Sequence, residues 1–199
     1  MSEHGKNPIA RITDAVCDVL ADQGVSALSM RNVAAKADAT IGLITHHFPN
    51  RAAMVKGAVK ATWLKEQAVV VWPEVPDRAA ILRAIKVFLP LDEERRRQLS
   101  VWVAYWALTQ HDEELQEIHF DVHATIRENH MRWIMALDFP PEEARRLADR
   151  LCVSFDGLLL YALLDPAYWT PERQLDTARG IIDEIFVAHA RRQEGALGG

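Results

Sequence analysis

LSMRNVAAKADATIGLITHHFPNRAAM, residues 28–54, decides the fold. Two short helical patterns lie in it, separated by no more than a tight turn. Ser29 can cap the first, which places Met30, Val33, Ala34 and Ala37 on one inward face. Thr40 can cap the second, which reaches about Phe48. Ile44 and Phe48 stand four apart and would anchor that helix to a core, which leaves Ile41, Gly42, Leu43, Thr45 and His46 on its other faces. Asn50 then opens a longer fourth helix.

Upstream, Asn7 caps and Pro8 begins a supporting helix. Its Ile9, Ile12, Val16, Val19 and Leu20 recur at helical spacing, and Gly24 suits its stop. A supporting helix, a short bracing helix and a short reading helix are what a helix-turn-helix needs. The last of these offers its N-terminal residues to the major groove. Gly42 permits close backbone approach, Ile41 and Leu43 can meet thymine methyls, and Thr45 can bond bases or phosphates. The candidate DNA-facing set is Ser29, Arg31, Thr40, Ile41, Gly42, Leu43, Thr45, His46, His47 and Arg51.

Downstream, the fourth helix is expected to run until Pro73. Asp77 opens a fifth that ends before Pro90, Asp92 a sixth to about Thr109, and Asp112 a seventh to about Leu137. Pro141 begins an eighth, to Leu164, and Thr170-Pro171-Glu172 a ninth, to about Arg192. Strand patterns are almost absent. The expectation is an all-α protein of about nine helices: a helix-turn-helix domain over 1–54, a helical body over 55–192, and a frayed tail over 193–199.

Composition narrows the function. The net charge of −5 is unevenly spread: residues 1–65 carry +3 and the remainder −8. The basic bias sits with the helix-turn-helix, as nucleic-acid binding asks. No run approaches the ~20 apolar residues of a membrane span, and MSEHGKNPIA is not a secretion signal. Cys17 and Cys152 lie in apolar helical patterns and read as buried free thiols of a reducing cytoplasm. An enzyme finds little support, since there is no Gly-rich phosphate loop, nucleophile elbow or pair of distinguishable catalytic carboxylates. His119 and His123 are four apart but lack a third ligand, so no metal or other cofactor is expected. The run Glu93 to Arg97 reads as a solvated helix start.

Residues 28–54 also resemble the TetR family. Its pattern has a bracing helix ending in Ala, then Gly-Val-Ser-x-Gly-x-Leu-Tyr-His-Tyr-Phe, a short turn, Lys and Leu. Here that reads from Ala37 through Thr40, Gly42, Ile44, Thr45, His46, His47 and Phe48 to Arg51 and Met54. Asp38 stands at the turn glycine, Thr45 at a tyrosine and Arg51 at the lysine. The stretches around residues 44–48 and 155–166 resemble the BetI-like, choline/betaine-pathway branch of that family.

The resemblance implies a cytoplasmic, homodimeric repressor on a palindromic operator, released by a small-molecule effector. It implies dimerisation through the last two helices, with candidates Leu151, Phe155, Leu158, Leu159, Ile181, Ile182, Ile185 and Phe186, although such stripes also serve as a protomer's own core. The middle helices would enclose the effector, with candidates Trp63, Gln67, Trp102, Trp106, His123, Arg127 and Trp133. Trp102 and Trp106 share a face, and aromatic cages hold quaternary ammonium groups. Core packing explains the same residues, as a non-DNA-binding interaction module would explain the weak N-terminal charge.

Overall fold

A computed structural model of the chain describes residues 7–197. The first six residues of MSEHGKNPIA and the last two of the expected frayed tail lie outside the described residues. Among those described are nine α-helices and no strand: α1 (Pro8–Gln23), α2 (Met30–Lys36), α3 (Ile41–His47), α4 (Arg51–Val69), α5 (Arg78–Ile85), α6 (Glu93–Thr109), α7 (Glu113–Met135), α8 (Pro141–Leu164) and α9 (Pro171–Leu197). The expected capping residues do start the helices. Asn7, Ser29, Thr40, Asn50, Asp77, Asp92 and Asp112 each accept a backbone N–H two or three residues on. Each such cap contributes roughly 0.5–2 kcal/mol.

Two ends differ from expectation. α4 stops at Val69, short of Pro73. The β-branched run Val69-Val70-Val71 is a poor helix former, and the residue before a proline is driven out of the helical region. α9 continues past Arg192 through Leu197, a stretch rich in good helix formers with no proline to stop it.

The chain forms two compact units. The first comprises residues up to Ala68 together with Asp92–Ile118. It is larger than the expected 1–54 because α6 packs along α1, which buries Val16, Val19, Leu99 and Val101. Arg97 of α6 reaches Asp18 and Asp22 of α1 at 3.5 Å each, and Asp22 also pairs with Lys36 of α2 at 2.9 Å. That part of the charged run is therefore bonded rather than merely solvated, although exposed pairs contribute at most about 1 kcal/mol each.

The second unit comprises Val69–Leu91 and His119 onward. Its core joins Ile81 and Ile85 of α5, Trp133 and Ile134 of α7, Leu151, Phe155 and Leu158 of α8, and Ile182, Ile185 and Phe186 of α9. Gln174 is fully buried there and donates to the Trp169 carbonyl at 2.8 Å, which ties the start of α9 to the loop before it.

Candidate nucleic-acid interface and effector site

The reading helix is held from behind and open in front. Ile44 and Phe48 are buried, whereas Thr40, Ile41, Gly42, Thr45 and His46 are exposed, and Leu43 and His47 are half-buried. Ser29 and Arg31 at the start of α2 are exposed as well. The Ser29 hydroxyl accepts from Asn32 N–H at 3.2 Å, and that of Thr40 from Leu43 N–H at 3.1 Å. A capping hydroxyl acts as acceptor, so its own O–H stays available to donate to a phosphate. Thr45 Oγ1 donates to the Gly42 carbonyl at 3.1 Å and must exchange that bond to reach a phosphate or base.

The turn between α2 and α3 depends on two residues. Asp38 sits in the left-handed region with φ 48°, where the family pattern has glycine. Arg11 of α1 donates through Nη2 to the carbonyls of Ala37 at 2.7 Å and Asp38 at 2.9 Å and so clamps the turn. No local pattern announces this clamp, because its two halves lie 26 and 27 residues apart. Asp38→Gly removes the steric penalty of that conformation. It is expected to raise unfolding free energy by about 0.5–1 kcal/mol, read by denaturant melts, with operator affinity unchanged.

Arg51 also has a partner within its own unit. Its Nη2 donates to the Val25 carbonyl at 2.5 Å and its Nε is buried. Through that bond the guanidinium braces the turn before α2.

The expected effector residues divide between the units. Trp63, Gln67, Trp102 and Trp106 belong to the first, and His123, Arg127 and Trp133 to the second. In the first unit Trp102 and Trp106 lie with ring centroids 6.5 Å apart, and Trp102 meets Tyr105 edge-on at 5.5 Å. Glu66 of α4, which the sequence did not single out, lies in the same unit. It is 6% exposed, and both carboxylate oxygens are buried beside the Trp102 indole N–H, outside good hydrogen-bond geometry. Burial pushes its pKa up to about 8, against the smaller pull of the nearby Trp102 indole N–H and the Arg95 charge. Gln67 next to it also buries its amide nitrogen without a partner.

In the second unit Trp133 is core, stacked on Phe186 at 6.4 Å. His123 lies against His119 with ring centroids 4.1 Å apart and the rings tilted by 41°, and approaches Asp156 at 3.7 Å. Burial holds His123 down at about 4, so near neutral pH it is uncharged and this approach is not an ion pair. Arg127 is exposed. Cys17 and Cys152 are buried free thiols, as expected. Among the described residues no group of three or more His, Cys, Asp or Glu is placed to hold a metal.

The expected dimer residues fare differently. Leu151, Phe155, Leu158, Leu159, Ile182, Ile185 and Phe186 are buried within the protomer, and Ile181 is half-buried. All of them but Leu159 join the core of the second unit, where α8 and α9 pack on each other. α8 has a second apolar stripe: Val153 (74% exposed), Gly157, Leu160, Tyr161 and Leu164 (64% exposed) recur at helical spacing on its outer side.

A helix-turn-helix clamped from behind, with its reading face in solvent, defines a DNA-binding transcriptional regulator. Residues 12–58 match the tetR family of bacterial regulatory proteins, and residues 76–187 match the C-terminal domain of BetI-type transcriptional repressors. The chain therefore belongs to the TetR family.

The HTH-type transcriptional regulator BetI of Rhizobium meliloti (strain 1021) is 24% identical, over 96% of this chain and 94% of its own. A transcriptional regulator from Rhodococcus sp. Rha1 has the same fold, with TM-score 0.83 at 30% identity over 92% of this chain and 97% of its own. A regulator from Saccharomonospora viridis, solved in complex with choline, shares the fold with TM-score 0.68 at 18% identity over 88% and 95%. No described helix is long and apolar enough to cross a membrane.

Proposed function

We propose that this regulator is a homodimeric repressor of the cytoplasm that holds a palindromic operator and leaves it when a small organic cation binds beside Glu66 and Trp102. The observation that carries the effector class is Glu66, a buried carboxyl whose approach to the Trp102 indole N–H does not offset the cost of its burial. Burying an unpaired carboxyl is costly, and such groups concentrate at functional sites. A cation takes the place of the proton that burial keeps on the carboxyl and pairs with the carboxylate left behind, and the Trp102 ring adds cation–π attraction of about 0.5–2 kcal/mol. The choline found in the Saccharomonospora viridis regulator has this chemistry.

The operator half of the reading is supported by the exposed Ile41, Gly42, Thr45 and His46, with Ser29, Arg31 and Thr40 on the phosphate side. The dimer is supported by the outer stripe of α8 and by the symmetry of palindromic sites. Release is a population shift: the cation favours an arrangement of α4 in which the two reading helices no longer match the half-sites, by no more than its differential affinity for the two arrangements. The family consists of regulators, and we assign no catalytic step to the site.

Titration of the purified protein with choline and with tetramethylammonium, followed by tryptophan fluorescence, tests the effector class. Saturable quenching that disappears in Trp102→Phe and weakens at least tenfold in Glu66→Gln is expected, and saturable binding unaffected by either substitution would refute it.

A further inference from the structure

We propose that Gly57 is a positioning residue for DNA recognition: its bare backbone receives the Phe48 ring and thereby fixes the pose of the reading helix on α4. Gly57 lies inside α4, where glycine weakens a helix, and its backbone needs no left-handed conformation. What demands glycine is space. A Cβ at 57 would overlap Phe48 Cε1 and approach Cζ at 3.0 Å and Cδ1 at 3.4 Å. Every other glycine among those described has room for a Cβ: at Gly24, Gly157, Gly180 and Gly195 it would meet nothing within 4 Å, and at Gly42 only Thr40 Oγ1 at 3.9 Å.

Phe48 is buried and ends α3, where its N–H closes on the Ile44 carbonyl at 2.8 Å. α3 has seven residues, and Ile44 is the buried side chain within it. Its seating therefore rests on Ile44 and on the Phe48 ring against α4. Restoring ordinary carbon–carbon contact at a methyl would push that ring by on the order of 1 Å. The ring belongs to the residue that caps α3, so the reading helix moves with it. Hydrogen bonds to bases tolerate only a few tenths of an ångström. The same contact makes the pose of α3 follow any movement of α4.

The inference rests on the operator-binding reading, and a DNA site selected by the wild-type protein from a random pool serves as probe and control. Gly57→Ala, Phe48→Leu and the double variant are compared by thermal unfolding, affinity for that site, and affinity for versions with half-sites one base pair closer or farther. The expected result is a folded Gly57→Ala protein that binds the wild-type site at least tenfold more weakly with a changed spacing preference. Adding Phe48→Leu, which vacates the space, should restore most of the affinity. A Gly57→Ala protein that melts higher, as relief of a helical glycine alone would give, and binds the site unchanged would overturn the proposal. If Gly57→Ala alone does not fold, the double variant decides: folding with near-wild-type affinity upholds the proposal, and folding with affinity still lost overturns it. Failure of the wild-type protein to select any site would strike the operator reading instead.

Discussion

Glu66→Gln is expected to make the protein more stable at pH 8, by about 2 kcal/mol or more, while weakening its response to a cationic effector at least tenfold. The carboxyl is held near a pKa of about 8 by burial, against an ordinary value of 4.5. Between those values the folded chain keeps a proton that the unfolded chain has released. Folding then takes up a proton, and stability falls as pH rises through this window before levelling off above about 8. Raising a carboxyl's pKa by one costs about 1.4 kcal/mol once the group ionises, so the full penalty is on the order of a few kcal/mol. Glutamine has the same shape and no charge to desolvate. Chemical denaturation of wild type and variant from pH 5 to 9 checks this. The wild type should lose stability across the range relative to the variant, and parallel profiles would show that Glu66 is already paired or hydrated. The two halves of the prediction share one cause: a carboxyl that weakens the empty protein is stabilised by the cation that neutralises it.

The second large effect concerns assembly. Val153→Glu combined with Tyr161→Glu is expected to leave the protomer folded and to abolish the dimer. Both side chains are mostly exposed, so charge there opposes only what would cover the stripe. With one reading helix per particle instead of two, operator affinity should fall by about 10²-fold or more, the usual gain from bivalent attachment. Leu158→Ala is the counterpart from the buried side of α8, where truncation should destabilise the protomer itself by about 2–5 kcal/mol. Sedimentation and melting of the two proteins separate the faces. A dimer that survives both glutamates would place the interface elsewhere.

The helix starts were legible because each rests on one side chain and the amides just after it, a local relation that sequence order preserves. Thr40, Asp92 and Asp112 are examples. The reading face was legible for the same reason: Ile44 and Phe48, four apart, fix which sides of a seven-residue helix remain outside. Relations between distant elements were not. α8 is apolar on two sides, and sequence could not say which of them faces α9; Leu158 and Ile182 proved to be core, and Val153 and Tyr161 surface. Glu66 reads as one more polar residue in Lys65-Glu66-Gln67 until the fold buries it near Trp102 and Arg95 of α6. The direction of the Arg51 side chain, toward the Val25 carbonyl, was equally hidden. The N-terminal unit extends beyond residue 54 because α6 returns to pack on α1, a long-range choice that helical periodicity does not encode.

Everything proposed for this regulator depends on the face made by Ile41, Gly42, Thr45 and His46 reading an operator. Selection of bound molecules from random-sequence DNA by the purified wild-type protein, followed by sequencing, asks that question without assuming a target. The expected result is enrichment of a palindrome whose half-sites lie about one helical turn apart, roughly 10 base pairs, with binding weakened by Thr45→Ala. A folded dimer that enriches no sequence at low salt, where phosphate contacts are strongest, would contradict it.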